Sequence, residues 1–407
     1  MLENSLEFGS SLRSQFLLDD KYISLNHGSY GTYPKSVREA LREFQDRSEF
    51  RPDQWMRRDL EIELTKARET IANFVNADTD EVVFIQNTTT GINAILKSLT
   101  YVEGDKLLFL STVYNSVREL LYFTRDNNDG KVQLIELEVN YPITDEDLIS
   151  KIEKCIEEEK QNPNSRIKLA VIDAISSTPG VVVPFQKIIK ILRKHDIISV
   201  IDGAHAIGQI PLDLKEFDPD YFVTNCHKWL YTVRGSALLY VPFRNQKNIR
   251  HPIVSALCNS GFVKEFSWVG TQDFSSYLTI HHALAFRKKL GGEDKIQSYC
   301  RNLAIKGGKL IASILNTEIL GPESSIAHMV NIRLPIKVDD GKPNIFESEF
   351  HELMFNKYNC YVMAFKHADK FYVRASAQVY TDLKDFEKVG YILKEICDST
   401  SLTKYKL

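Results

Sequence analysis

The sequence has little of what marks most specialised proteins. It carries six cysteines in 407 residues, at positions 155, 226, 258, 300, 360 and 397, with no CxxC pair. That scatter excludes a zinc ribbon, a thioredoxin-type motif and a disulfide framework, and no metal site is expected. No apolar run approaches the roughly 18 residues of a membrane-spanning helix, so no membrane partner is expected. The first twenty residues lack a basic end followed by an apolar stretch, so no secretory leader is expected either. Neither sign of charge dominates: 51 Lys and Arg face 54 Asp and Glu, a net charge of −3. Nucleic-acid binding is therefore not expected as the main business of the chain. The phosphate loops GxGxxG and GxxxxGK[ST] do not occur, and no fixed-period repeat suggests a solenoid. What is left is an ordinary globular composition, 43% hydrophobic and 26% charged, long enough for a deep site between domains and expected in the cytoplasm.

What is there is a regular alternation. Short apolar runs at Val82–Ile85, Leu107–Leu110, Val132–Leu137, Leu169–Ile172, Ile197–Ile201, Tyr221–Val223 and Ala237–Val241 are separated by helical patterns. Continuous apolar strands between helices predict an α/β fold with a mostly parallel sheet covered on both faces. Asn26–Gly31 reads as a loop. A helix is predicted after it, with Ser36 as cap and Glu39 at the capping-box position. Beyond about residue 266 the pattern changes to helices at Tyr277–Leu290 and Ile296–Leu315, with short strands near Val330–Ile332 and Phe371–Val373. We expect a large domain over residues 26–265 and a smaller α+β domain from residues 1–25 and 266–407.

Ligands of such sheets bind beyond the carboxyl ends of the strands. The polar residues there are Thr88-Thr89-Thr90, Tyr114, Ser176-Ser177, Asp202 with His205, and His227-Lys228. The threonine turn opens a helix, where free N–H groups and hydroxyls suit a phosphate; helix capping by Thr is the plainer alternative. Asp202 ends an apolar strand and suits a protonated ring nitrogen, or else caps the next turn. Lys228, between His227 and Trp229 at a strand end, is placed to lose solvation and become a nucleophilic amine, although a lone lysine is most often a solvated surface group. An anion cradle, a carboxylate for a ring nitrogen and an amine for a Schiff base are together what pyridoxal phosphate requires.

Four segments carry a resemblance: Asp202-Gly203-Ala204-His205, Asn225-Cys226-His227-Lys228-Trp229, Trp268-Val269-Gly270-Thr271-Gln272-Asp273, and Tyr372-Val373-Arg374-Ala375-Ser376-Ala377-Gln378-Val379-Tyr380. The sequence resembles the class V aminotransferase family of fold-type-I pyridoxal-phosphate enzymes, from about Leu25 to Phe386. The resemblance implies that Lys228 forms the Schiff base and moves the Cα proton, and that Asp202 keeps the ring nitrogen protonated. It implies that His205 contacts the ring hydroxyl and that Tyr114 stacks on the ring, where many relatives have His. Thr88, Thr89, Asn225 and His227 match phosphate contacts, with Ser common in place of Asn225. Ser177 matches a residue near the ring oxygen, often Asn in relatives. Thr271 matches a phosphate contact donated by a neighbouring subunit, which implies a homodimer with shared sites. Arg374 matches the arginine that binds the substrate α-carboxylate. Asn26 and His27 are candidates for substrate contact or for loop capping, and Tyr30, Trp55 and Arg234 are further pocket candidates.

Within the family, Cys360 lacks the Gly- and His-rich loop of the cysteine desulfurases. The Leu25–Gly31 opening and the Trp-Val-Gly-Thr-Gln-Asp segment are similar to the branch of hercynylcysteine sulfoxide lyases and isopenicillin-N-epimerase-like proteins. The implied function is a C–S lyase acting on a small amino-acid substrate, with Tyr114 as proton donor to the departing sulfur. An epimerase or aminotransferase on the same cofactor is the first alternative; a catalytically silent binding protein of the same fold is the second.

Overall fold

The computed structural model describes residues 7–336 and 345–398. A two-residue strand, β1 (Ile23–Ser24), precedes a seven-stranded sheet made of β2 (Val82–Ile85), β3 (Asp105–Leu110), β4 (Val132–Leu137), β5 (Arg166–Asp173), β6 (Ile198–Asp202), β7 (Tyr221–Thr224) and β8 (Ala237–Tyr240). The spatial order is β2-β8-β7-β6-β5-β3-β4. β8 runs antiparallel to both its neighbours, and the pairs from β7 across to β4 are parallel. The expected mostly parallel α/β sheet is what the chain forms. The apolar run of β8 looks like the others because a strand covered on both faces shows no direction in its composition.

Alternate residues divide between two cores, as the period of two demands. Leu108, Leu110, Ala170, Ile172, Ile201 and Phe222 pack on one face against Leu148, Ile152, Ile156, Ile188 and Ile189 from helices Asp145–Lys160 and Phe185–Lys194. Leu107, Phe109, Leu169, Val171, Val200 and Val223 pack on the other against Ile92, Ile95, Val117 and Leu121 from helices Thr88–Ser98 and Asn115–Asp126. Truncating one such side chain, for example Ile172→Ala, costs about 2–5 kcal/mol.

A second sheet, in the order β11-β12-β9, joins β9 (Met329–Arg333), β11 (Met363–His367) and β12 (Lys370–Ser376) in antiparallel pairs. Helices Glu293–Leu315 and Leu383–Asp398 cover it through Ile311, Phe386 and Leu393. β1 pairs in parallel with β10 (Cys360–Tyr361), which ties the N-terminal segment to this region. Parts of the span expected as the smaller domain, residues 1–6, 337–344 and 399–407, lie outside the described residues. Phe274, Tyr277 and Ile280, beyond the expected boundary, share the core of the large sheet.

Three local expectations are corrected. His27–Tyr30 is a short helix rather than a loop, closed by the Gly31 N–H on the His27 carbonyl at 2.8 Å. Ser36 lies inside helix Lys35–Phe50, whose cap is Pro34; the fixed φ of proline starts that helix without a side-chain acceptor. The helix expected at Tyr277–Leu290 breaks into Ser275–Leu278 and Ile280–Lys289. At the break the Thr279 hydroxyl donates to the Ser276 carbonyl at 2.7 Å. No helix among the described residues is long and apolar enough to cross a membrane.

Candidate active site

The carboxyl ends of β2, β5, β6 and β7 surround a cavity of ≈ 170 Å³. Thr88, Thr89, Tyr114, Ser177, Asp202, His205, Asn225, His227 and Lys228 all line it. Asp173, Ser29 and Asn87 line it as well. Arg374, Asn26 and His27 stand behind this wall. Thr271 is exposed, on the segment between helices Phe262–Ser267 and Ser275–Leu278, and is not part of the cavity of its own chain.

Lys228 sits on the helical turn Cys226–Trp229, directly after β7 and Asn225. Its Nζ is 3.1 Å from His205 Nε2. Burial pushes the ammonium down to about 7, the Arg374 cation adds to that, and the carboxylates of Asp202 and Asp173 oppose it. About half of the amine is thus neutral near pH 7, the form a nucleophile or proton acceptor needs. The turn is fastened from behind. His27 Nε2 donates to the Lys228 carbonyl at 2.6 Å, and His27 Nδ1 accepts from the Tyr380 hydroxyl at 2.8 Å. Arg287 donates to the next carbonyl, that of Trp229, at 2.7 Å. His27 is therefore placed to hold the lysine backbone, and its buried ring is pushed down to about 3.

Two carboxylates close adjacent strands. Asp202 ends β6, and its Oδ1 accepts the Ala204 N–H at 2.9 Å. Asp173 ends β5 in register with it. Both are buried, and burial raises both above the usual carboxylate range; the Asp202 charge raises Asp173 further. Asp173 Oδ2 has no hydrogen-bond partner among the described residues. Sequence reasoning missed Asp173, although the signal was the one that exposed Asp202, an apolar strand ending in a carboxylate.

The anion cradle lies opposite. Helix Thr88–Ser98 starts at the cavity, with Asn87 as a capping residue that accepts the Thr90 N–H at 2.9 Å. Asn225 Oδ1 accepts the Thr88 N–H at 3.0 Å, which leaves its amide N–H₂ end for the cavity. Thr88 Oγ1 is buried without a hydrogen-bond partner among the described residues. The helix reaches this position because residue 91 is glycine: a Cβ there would stand 2.5 Å from Val223 Cγ1. His227 Nδ1 donates to the Ser236 carbonyl at 3.0 Å, and burial pushes its ring down to about 4.

Arg374, on β12, is fully buried. One terminal nitrogen donates to the Ser177 carbonyl at 2.6 Å, the other to Asn26 Oδ1 at 3.2 Å and Ser29 Oγ at 3.0 Å. Its Nε has no partner among the described residues. Asn26 thus braces the arginine. No cluster of three or more potential metal ligands occurs among the described residues.

These residues fit pyridoxal phosphate. The unpartnered hydroxyl of Thr88 and the free amide of Asn225 suit the phosphate, Asp202 the ring nitrogen, and Lys228 the aldehyde. Tyr114, 47% exposed at the mouth, offers a ring face. A lysine, a carboxylate and an anion cradle on the ends of a parallel sheet define a fold-type-I pyridoxal-phosphate enzyme. The Aminotransferase class-V family profile matches residues 32–345, and the chain belongs to that family. It is 31% identical to the hercynylcysteine sulfoxide lyase of Schizosaccharomyces pombe, over 98% of this chain and 100% of that protein. It is 30% identical to the L-cysteine desulfhydrase of Arabidopsis thaliana, over 91% of this chain and 87% of that one. The solved structure of the cystine C-S lyase C-DES in complex with its product cysteine persulfide superposes with a TM-score of 0.76 at 17% identity, covering 92% of this chain and 97% of that one, a likeness of fold.

Proposed function

We propose that this protein is a pyridoxal-phosphate-dependent C–S lyase that breaks the Cβ–S bond of a cysteine conjugate or its sulfoxide. The observation that carries this reading is a buried lysine, a large share of it free amine at pH 7, lining one cavity with a carboxylate and an anion cradle and backed by Arg374, in a chain most of whose length aligns with relatives named as lyases and desulfhydrases of cysteine compounds. When bound, the cofactor supplies an electron sink for the pair released at Cα. Thr88, Thr89, Asn225 and His227 would hold its phosphate, and Asp202 would hold a proton at its ring nitrogen. Arg374 would bind the substrate carboxylate, orienting the Cα–H bond towards Lys228 Nζ, which as a free amine takes that proton. The Tyr114 hydroxyl is proposed to give a proton to the departing sulfur.

Neither Cys360 nor Cys226 suits transfer of sulfur to the protein. Cys360 is buried on β10 and Cys226 at the start of the lysine turn, and burial pushes each thiol up to about 12, so neither presents a thiolate at neutral pH. We further propose a cytoplasmic homodimer in which Thr271 completes the phosphate site of the second copy. In support, Thr271 is exposed and does not line the cavity of its own chain. Beside its segment lies a hollow of ≈ 750 Å³ lined by Leu60, Phe84, Phe243, Phe262, Trp268 and Tyr277.

Incubation with S-substituted cysteines and their sulfoxides, followed by assay of pyruvate and ammonia, tests the activity. Equal amounts of both from a sulfoxide are expected, and racemised or transaminated substrate without pyruvate would overturn the lyase reading. The purified protein with cofactor should be yellow, and Lys228→Ala should lose the absorbance of the lysine-bound form.

A further inference from the structure

His205 lies between two groups that together dictate which of its nitrogens carries the proton. Trp229 Nε1 is 3.2 Å from His205 Nδ1, and Lys228 Nζ is 3.1 Å from His205 Nε2. An indole nitrogen is a donor only. Nδ1 must therefore accept, and a neutral ring then has its single hydrogen on Nε2, pointing at the lysine. Neither side can adjust. Trp229 is 1% exposed and wedged among Ile175, Ala327 and Met329, with the His27 and His328 rings at 5.1 and 5.5 Å. The His205 backbone is held by Gln209, whose side-chain amide donates to the His205 carbonyl at 2.7 Å.

We propose that Trp229 is a positioning residue that locks His205 in its Nε2–H form, so that the imidazole donates to the Lys228 amine and accepts nothing from it. A donor facing Nζ requires a lone pair there. An ammonium would bring two donors together at 3.1 Å, whereas the free amine completes the chain indole N–H to Nδ1, Nε2–H to Nζ. The lock adds to burial and the Arg374 cation in favouring the free amine, against the Asp202 and Asp173 carboxylates, while burial keeps the nearby His227 ring neutral. It also settles what His205 offers a bound cofactor, a hydrogen-bond donor. This inference rests on the proposed role of Lys228, but its first measurement does not.

In the cofactor-free protein, ¹⁵N-histidine NMR distinguishes Nε2–H, Nδ1–H and doubly protonated rings, and His205→Gln identifies the His205 signals among the ten histidines. Nε2–H is expected at neutral pH; Nδ1–H or a protonated ring overturns the lock. The second measurement is the rate at which pyridoxal phosphate restores the lysine-bound absorbance to the apoprotein, as a function of pH. Trp229→Phe, or the isosteric benzothienyl analogue that lacks the N–H, should mix the tautomers. It should also move the midpoint of that profile up by about one pH unit, slowing attachment about tenfold below it. An unchanged midpoint with either replacement overturns the inference. If the wild-type protein never develops the absorbance, the proposed function fails, and the NMR result still decides the tautomer.

Discussion

Asp173 and Asp202 are register partners at the ends of two adjacent parallel strands, and both line the same cavity with buried side chains. Two such carboxylates strongly disfavour simultaneous ionisation. Burial raises both, and the neighbouring Asp202 charge raises Asp173 further, which favours the proton on Asp173. An acid whose folded pKa exceeds its unfolded value lowers stability as pH rises from about 4 through the folded pKa. Asp173→Asn, which keeps the shape without the charge, should therefore raise the melting temperature of the cofactor-free protein by about 1–3 °C at pH 8, with the gain shrinking towards pH 4. Thermal unfolding at the two pH values checks this, and a pH-independent shift would contradict the shared proton.

The bracing of Arg374 by Asn26 and Ser29 gives the site a rigid fork rather than a flexible cation. Arg374→Lys keeps the charge and loses the fork, so KM for the amino-acid substrate should rise about 10²-fold with the lysine-bound absorbance intact. Asn26→Ala removes one acceptor behind the fork and should raise KM about tenfold. Steady-state kinetics on both variants separate these effects from cofactor loss.

Tyr114 stands at the cavity mouth as the residue before helix Asn115–Asp126. Its ring and its hydroxyl have separable uses. Tyr114→Phe keeps the face and removes the proton, so cofactor binding should persist while kcat falls about 10²-fold. A substrate whose sulfur leaving group is more acidic should recover most of the loss. Unchanged kcat on every substrate would remove Tyr114 from the proton-donor role.

The one hydrogen of a neutral His227 ring is committed to the Ser236 carbonyl, which leaves Nε2 bare. A phosphate oxygen there requires a second proton. Burial holds this ring near 4 before the anion arrives, so binding must be coupled to proton uptake, and affinity should strengthen as pH falls from 8 to 6. Calorimetry with pyridoxine 5′-phosphate, which lacks the aldehyde, in buffers of different ionisation enthalpy should show about one proton fewer taken up by His227→Gln than by the wild type. Equal uptake would show that His227 does not protonate.

The parts of the site visible in the sequence were those that local composition announces. Lys228 and Asp202 each follow an apolar strand, and Thr88 begins a helix directly after another. Asp173 sends the same signal but precedes the Ser176–Gly180 turn, whose own pattern drew the reading past it. The functions of His27 and Tyr380 could not be read this way, because their bond joins residues 353 positions apart. The contact of His27 with Lys228 spans 201 positions. Spacing rules describe neighbours on one element, and these contacts exist only once separate elements are packed together. Trp229 was visible as a residue and silent as to purpose, since nothing in its neighbourhood along the chain indicates that its N–H meets a histidine 24 positions upstream.

The clamp on the lysine turn also has a consequence for synthesis. By the time residue 300 is added, the chain already contains every strand of the large sheet and every residue assigned to hold the cofactor from within this subunit. It does not yet contain Tyr380, which hydrogen-bonds the histidine that grips the lysine carbonyl, nor Arg374. A nascent chain thus holds every residue of its cofactor cradle long before it holds those that fasten its amine or bind a substrate carboxylate.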